Sequence, residues 1–296
     1  MRKRMWGFGI LGAGAVAALV AATVPPATPD PAGLPATAPD YAIVKPATHA
    51  QPGIVEKTRG YVDESGAAFE ARMAVTTECM ARAGFPDFPK TELSHRDPGL
   101  GSFLYGFSPM DVPAARKTGY PYLKGREVYM PDAIVEAYSG KAGAQKSFSG
   151  GTRGGGTFMT GGCQLKGIEA VYGAGNDYAA ATAAYSLILP GTESAKFNPA
   201  FKAALNDWSA CMAKAGYGNM KDPGQASLVA SQQSGHVALK IAVADATCRE
   251  QVQLEKRLED VAAPYLTTVV ADKQSELDNV ARIRAAADTR AAALGK

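Results

Sequence analysis

The residues of this chain whose type and spacing suggest a definite chemistry are its four cysteines. If the chain is exported, as its first residues indicate below, its cysteines are expected to form disulfides, because thiols oxidise outside the cytoplasm. The sequence contains no CxxC and no HExxH motif, and its three histidines stand far apart. We therefore expect no metal site, and disulfide formation by Cys79, Cys163, Cys211 and Cys248.

Two of the cysteines lie in nearly the same phrase, TTECMARAGF at 76–85 and WSACMAKAGY at 208–217. When 69–85 is aligned on 201–217, seven of the 17 positions are identical and the apolar face stays in register. A shared amphipathic helix explains the apolar matches, but it requires neither the cysteine nor the final glycine at the same places. We interpret the two phrases as an internal duplication, with coincidence as the alternative.

The duplication also predicts how the cysteines pair. Each copy is followed by a later helix with its own cysteine, Cys163 in the first and Cys248 in the second. A unit that folds on itself should repeat its own bridge, which predicts Cys79–Cys163 and Cys211–Cys248. The open alternative, Cys79 with Cys211, requires a symmetric contact between the two helices near their ends.

Polar groups that could catalyse a reaction do not converge in the sequence. His95 lies in the turn SHRDPG, and Glu136, Glu169 and Asp177 have no spacing that favours an acid/base pair. The glycine tract at 150–162 lacks the GK[ST] ending of a phosphate loop. We therefore expect no catalytic residues and no cofactor.

An aromatic-rich region provides the candidate binding residues of the sequence. Aromatic rings presented together on a surface bind carbohydrate or protein. The open alternative is that the same rings fill a helical core. The residues concerned are Phe103, Tyr105, Phe107, Tyr120 and Tyr122.

The first residues have the features of an export signal. Three basic residues precede an apolar run at 5–24, and small side chains allow cleavage after Ala22. A signal peptide at 1–22 is one interpretation, and a membrane anchor formed by the uncleaved run is the other. The formal charge is +3, and removal of 1–22 would bring it close to zero, which argues against nucleic acid as a partner.

The rest of the chain predicts a mainly α fold, built as a duplicated disulfide-stapled helical unit with a long C-terminal helix in a hairpin or small bundle. A Pro/Ala/Thr-rich linker at 23–53 precedes a first repeat at 54–190, with enlarged aromatic and glycine-rich loops, and a second repeat at 191–296. The last helix is expected over Gln232–Leu294 with one interruption at Pro264. The best strand candidate is REVYM at 126–130, and 150–162 is expected to be flexible or turn-rich.

The second copy resembles a pattern in uncharacterised exported proteins of high-GC Gram-positive bacteria. The pattern is Trp-x2-Cys-Met-x3-Gly-aromatic followed by Asp-x2-Cys and a basic residue. The first copy has Thr76 in place of the tryptophan. The resemblance covers the body from about residue 60 and implies an architecture but no activity. The matching residues are Trp208, Cys211, Met212, Gly216, Tyr217, Asp245, Cys248 and Arg249.

These observations together favour an exported, cell-envelope-associated binding or scaffold protein. Its expected partner is an unidentified envelope protein or wall polymer, and its expected place is extracytoplasmic, either secreted or anchored to the outer face of the cytoplasmic membrane. The alternative is an extracytoplasmic enzyme that acts on a wall or extracellular polymer.

Overall fold

The protein is described by a computed structural model that covers residues 43–88, 100–120, 131–141, 145–149, 155–159 and 161–295. The described chain is mainly α-helical, which confirms the expected fold class. The candidate signal or anchor at 1–22 lies outside the described residues. Within them, no helix is both long enough and apolar enough to cross a membrane.

The elements follow one another with short connections. The first part of the chain contains α1 (Ile54–Val62), α2 (Gly66–Arg82), α3 (Leu100–Tyr105), α4 (Val112–Thr118), α5 (Asp132–Ser139), β1 (Gln145–Ser149), β2 (Gly155–Met159), α6 (Gly162–Tyr172) and α7 (Gly175–Thr182). The second part contains α8 (Ala184–Lys196), α9 (Pro199–Lys214), α10 (Pro223–Ser231), α11 (Gly235–Val252), α12 (Leu254–Asp272) and α13 (Gln274–Leu294).

The two cysteine-bearing helices, α2 and α9, end in the same way. Each is followed by a glycine with positive φ, 95° at Gly84 and 90° at Gly216. A left-handed residue after a helix favours glycine because glycine has no Cβ to clash with the backbone. In both cases the next amide donates back to a methionine carbonyl, at 2.9 Å for Phe85 to Met80 and 2.8 Å for Tyr217 to Met212. The glycine shared by the two phrases therefore ends both helices.

The buried face of α2 differs from the predicted one. The spacing of apolar residues predicts one buried face through Phe69, Met73, Thr76, Met80 and Ala83. Thr76 and Met80 are buried as predicted, whereas Phe69 and Met73 are only half-buried, Ala83 is exposed, and the other buried residues are Ala68 and Arg72. Arg72 occupies a core position because Glu64 is buried beside it and pairs with it. A prediction from apolar spacing does not assign an arginine to a buried position. For this reason the buried face of α2 is rotated relative to the predicted one.

The helices enclose two larger apolar cores and a smaller one. The main core joins α1, α8, α9, α11 and α12 with the segment between α3 and α4. A second core lies between α2, α6, α7 and α13. The smallest surrounds the first disulfide, where Met80, Phe88 and Tyr138 pack on Cys163.

The C-terminal part is helical almost throughout, but its interruptions are not at the predicted place. The chain breaks at Gln253, which is left-handed with φ 52°, and again at Lys273. Pro264 lies inside α12 and does not end it. A left-handed backbone at Gln253 redirects the chain, whereas α12 continues through Pro264 although proline provides no amide donor there. The predicted long terminal helix is present as α13.

Helix α13 attaches the first part of the chain to the second through its arginines. Arg284 donates to the carbonyls of Tyr61 and Val62 at the end of α1, and to the carbonyl of Ala181 near the end of α7. The last carbonyls of a helix have no partner inside the helix, and cations stabilise that end. The guanidinium of Arg284 therefore joins α13 to the ends of both α1 and α7.

The expected linker at 23–53 is wrong at its C-terminal end. Val44 donates its amide to Ser194 Oγ at 2.9 Å, and the amide of Ala47 donates to the Pro264 carbonyl at 3.1 Å. The amide of Gln51 donates to Thr267 Oγ1 at 2.9 Å. Backbone hydrogen bonds to α8 and α12 thus hold this segment on the body, although its composition resembles the spacer before it.

The glycine tract also differs from the expected flexible loop. Residues 155–159 form β2, which pairs antiparallel with β1 in the register Gln145↔Met159 to Ser149↔Gly155. Thr157 and Phe158 have high strand propensity, and pairing outweighs the conformational freedom of the glycines beside them. The strand expected at 126–130 lies outside the described residues.

Candidate functional site

All four cysteines form disulfides, and the pairs are the ones that the duplicated unit predicts. Cys79 joins Cys163 with a Cα–Cα distance of 5.4 Å, and Cys211 joins Cys248 at 5.7 Å. In each pair the second cysteine is buried and the first is half-buried. Each bridge connects the helix that carries one of the two similar phrases to a later helix, α2 to α6 and α9 to α11, so its role is to hold the two helices together.

The expected exposed aromatic surface is wrong for the rings that the structure describes. Tyr105, Phe107 and Tyr120 are 5%, 6% and 6% exposed, so they belong to the main core. The alternative use, filling a helical core, is the one found for these three rings. The side chain of Phe103 and all of Tyr122 lie outside the described residues.

The buried rings nevertheless mark an unusual place, because they surround a buried ion pair. The guanidinium carbon of Arg249 lies 4.5 Å from the ring centroid of Phe107, and Tyr105 stacks on Phe107 at 5.3 Å. The hydroxyl of Tyr120 donates to Asp245 Oδ2 at 2.8 Å. Aromatic faces attract guanidinium groups, so the rings stabilise the charge of Arg249.

Asp245 is the centre of this cluster and is fully buried. Arg249 donates to both of its oxygens, from Nε at 2.8 Å and Nη2 at 2.6 Å, while Trp208 Nε1 donates to Oδ1 at 3.0 Å. Arg249 Nη1 donates to the carbonyl of Ser108 at 2.8 Å. A buried charge is tolerated only when it is paired and hydrogen-bonded in this way. The cluster therefore ties α9 and α11 to the segment before α4.

An open cavity of about 740 Å³ lies next to the buried pair, between residues 109–119 and helices α11 and α12. We call it the α4–α11 cavity. Its volume is within the range of known ligand sites, roughly 300–1,000 Å³. Its apolar wall comes from Pro109, Met110, Val112, Pro113, Ala114 and Ala246, and its polar wall from Asp111, Thr118, Arg249, Glu250 and Glu255.

Glu255 is the ionisable group of this cavity with an altered pKa. Burial raises the pKa of its carboxyl, and the nearby Arg249, with Nη1 at 3.6 Å, offsets part of that increase. Burial likewise raises the pKa of Tyr120, and the charge of Asp245 raises it further. Tyr120 therefore stays protonated and acts as a hydrogen-bond donor, and the carboxyl of Glu255 holds its proton to a higher pH than an ordinary glutamate does.

We call the region around the disulfide-bonded helices α2 and α6 the first unit and the region around α9 and α11 the second unit. A second buried carboxylate–arginine cluster, Glu64 with Arg72, lies in the first unit. Arg72 donates to Glu64 from Nε at 3.1 Å and from Nη2 at 2.8 Å, and the hydroxyl of Tyr172 donates to Glu64 at 2.9 Å. The guanidinium carbon of Arg72 lies 5.5 Å from the ring centroid of Tyr178. Both clusters thus combine a forked arginine, a carboxylate and a tyrosine donor.

Sequence reasoning missed the acidic members of the cavity and the first buried pair. Asp245 and Arg249 belong to the sequence pattern of the second copy, but nothing in the sequence joins them to Tyr120, which lies 125 residues away from Asp245. Glu250 and Glu255 have the spacing of ordinary surface residues of a helix. In the part of the chain that the structure describes, no group of three His, Cys, Asp or Glu side chains is placed to hold a metal ion.

Comparison of the chain with known protein families, with curated proteins and with solved structures found no match. Function is therefore inferred from the residues themselves. They provide an open cavity, a buried ion pair that fixes one of its walls, and a disulfide, Cys211–Cys248, that joins one helix of the cavity, α11, to α9.

Proposed function

We propose that the chain is an exported protein of the cell envelope that binds a partner without chemically changing it. The observation that carries the binding proposal is the α4–α11 cavity, whose wall at Arg249 is held by the fully buried Asp245. A rigid concave surface reduces the entropy lost when a partner binds, because its side chains are already ordered.

Export is supported from two directions. The chain begins with a basic and apolar segment typical of an export signal, and all four of its cysteines are paired. Disulfides of this kind form and persist in oxidising compartments outside the cytoplasm. We expect the signal to deliver the chain outside the membrane, where it stays either free after cleavage or attached through residues 5–24.

The export proposal is tested by joining residues 1–60 to a reporter enzyme that is active only outside the cytoplasm. We expect activity from this fusion and none from a matched fusion in which Arg2, Lys3 and Arg4 are replaced by Glu. Sequencing of the mature N-terminus distinguishes cleavage after Ala22 from retention. A full-length chain with free thiols in the cytosol would contradict the proposal.

The binding proposal is tested with the full exported chain as bait in an envelope extract. Ala114 is exposed and lines the cavity, so Ala114→Trp fills the cavity without entering the core. The matched control is Ala285→Trp on the exposed face of α13. We expect partners captured by the wild type and the control to be lost with Ala114→Trp. Equal capture by all three proteins would place binding elsewhere and contradict the proposal.

A further inference from the structure

We propose that the α4–α11 cavity binds a cationic group, namely a lysine or arginine side chain of a partner protein with apolar residues on either side. This inference rests on the proposed binding function and adds the chemistry of the partner. It follows from the distribution of charge and apolar surface around the cavity.

The polar wall is acidic. Asp111, Glu250 and Glu255 contribute three carboxylates, and Arg249 contributes the one guanidinium among the described residues that line the cavity. The charge of Arg249 is balanced by Asp245, which it contacts through two hydrogen bonds, and its Nη1 also lies 3.6 Å from Glu255, so Arg249 faces two carboxylates and leaves no net positive charge in the lining. The field that an incoming group meets is therefore negative, which favours a cation and disfavours phosphate or an acidic polymer.

The apolar part of the lining explains why a bare metal ion is a poor occupant. It is formed by Pro109, Met110, Val112 and Pro113, and apolar side chains offer no ligand to an ion. The stem of a lysine or arginine is apolar while its end is charged, so one such side chain complements both walls. Apolar neighbours in the partner would cover the remaining surface of the proline-rich wall.

The other charged groups of the surrounding elements do not cancel this field. Arg116 and Lys117 on α4 are exposed and are not among the described residues that line the cavity. Tyr120 stays protonated because burial raises its pKa. Burial also raises the pKa of Glu255, so a bound cation should favour release of its proton, and acidification should weaken binding.

The test measures binding of short capped peptides to the full exported chain, with both disulfides formed, by isothermal titration calorimetry. The probe is acetyl-Leu-Lys-Leu-amide, and the matched peptides carry norleucine or glutamate in place of lysine. We expect the lysine peptide to bind most tightly and the glutamate peptide not to bind. Affinity for the lysine peptide should fall as salt is raised from about 20 to about 200 mM, because screening shortens the range of the carboxylates.

Variants of the cavity then locate the site. Glu250→Gln and Glu255→Gln should each weaken binding of the lysine peptide by about fivefold, the upper range for one partly exposed charge pair. The control is Glu70→Gln, which removes an exposed carboxylate on α2 and should leave the affinity unchanged. Ala114→Trp should abolish binding, while Ala285→Trp should not.

Each outcome decides the proposal. Equal binding of the lysine and norleucine peptides, or equal loss of affinity in Glu70→Gln and Glu255→Gln, would overturn the cation assignment. Absence of binding by the lysine peptide to the wild type would overturn it as well. A partner that is captured from the envelope and lost with Ala114→Trp would in that case preserve the binding function while excluding a cationic ligand.

Discussion

Each of the two disulfide-bonded units contains a cysteine-bearing helix that ends at a left-handed glycine and a later helix joined to it by the disulfide. The two units differ in how closely these helices approach one another. In the second unit Trp208 is fully buried beneath α11. At the equivalent position of the first unit stands Thr76, and it faces Gly167 of α6. A Cβ on Gly167 would lie 2.2 Å from Thr76 Oγ1 and 2.6 Å from the Arg72 carbonyl. The missing tryptophan is therefore explained by helices that approach one another too closely to admit it.

The two units also differ in which helices contribute to the buried ion pair. In the second unit the indole reaches Asp245, so α9 takes part in the buried cluster. In the first unit the arginine itself is on the cysteine-bearing helix, and its partner Glu64 comes from the turn before it. The Asp245–Arg249 cluster borders the α4–α11 cavity through Arg249, whereas Glu64 and Arg72 do not line that cavity. A disulfide between two helices thus accompanies a compact core in one unit and the wall of a cavity in the other.

The largest expected effect is the loss of unfolding free energy when a disulfide is removed, and this loss should differ between the two bridges. Cys79–Cys163 spans 84 residues and Cys211–Cys248 spans 37. In the loop-closure description, removal of the first bridge costs roughly 4.6 kcal/mol and removal of the second roughly 3.9 kcal/mol. We expect Cys79→Ala/Cys163→Ala to lower the free energy of unfolding more than Cys211→Ala/Cys248→Ala. Urea unfolding of the two double variants measures both, and the reverse order would contradict the comparison.

The buried ion pairs give the next largest effect. Asp245→Ala leaves the buried Arg249 without its carboxylate and should cost about 3–5 kcal/mol of unfolding free energy. Glu64→Ala does the same to Arg72 in the first unit and should cost a similar amount. The two variants should differ in which helices lose protection from hydrogen exchange.

Hydrogen exchange distinguishes the two variants. Asp245→Ala should lose protection in α4, α9 and α11, whereas Glu64→Ala should lose it in α2 and α6, because these are the elements that each cluster joins. The isosteric Asp245→Asn keeps the shape and should cost less than Asp245→Ala. Uniform loss of protection in both variants would show that the two units do not respond separately.

Part of this arrangement could be predicted from the sequence. The helix ends follow from Gly84 and Gly216 because they depend on residues close together in the chain. The disulfide partners lie 84 and 37 residues apart, and they follow from the repeated phrase because a repeated unit that folds on itself should repeat its own bridge. The buried position of Arg72 and the contact of Tyr120 with Asp245 could not be predicted. They depend on packing between distant segments, in which a charged residue enters the core only because its partner is already there. The acidic cavity could not be predicted for the same reason.

A smaller effect tests the close packing of the first unit. Gly167→Ala places a methyl group against Thr76 Oγ1 and the Arg72 backbone, and we expect a loss of about 1–3 kcal/mol from overpacking. The matched control is Gly60→Ala in α1, where a Cβ meets no atom within 4 Å. There the substitution should be neutral or stabilising, since alanine favours helix. Thermal unfolding compares the two, and a tolerated Gly167→Ala would mean that α2 and α6 are not in close contact.

The smallest expected effect concerns Glu255 and the pH dependence of stability in the second unit. Burial raises the pKa of this carboxyl in the folded state, so the folded state holds the proton more tightly than the unfolded state does. Between the unfolded pKa, about 4.3, and the higher folded pKa, stability therefore falls as pH rises. Below that window both states are protonated and the penalty is absent.

Glu255→Gln removes this penalty, so its melting temperature should rise relative to the wild type as pH increases through the window and then stay constant above it. The control is Glu136→Gln in the first unit, which removes the same charge at an exposed position beside Cys79–Cys163. Thermal unfolding from about pH 4 to pH 8 compares the three proteins across this range. A larger pH-dependent change in Glu136→Gln than in Glu255→Gln would mean that burial beside Arg249 does not set the proton affinity of the cavity. If the melting temperature of Glu255→Gln rose relative to the wild type on acidification, the change would have the opposite sign to the predicted one. That result would exclude a destabilised carboxylate at this site.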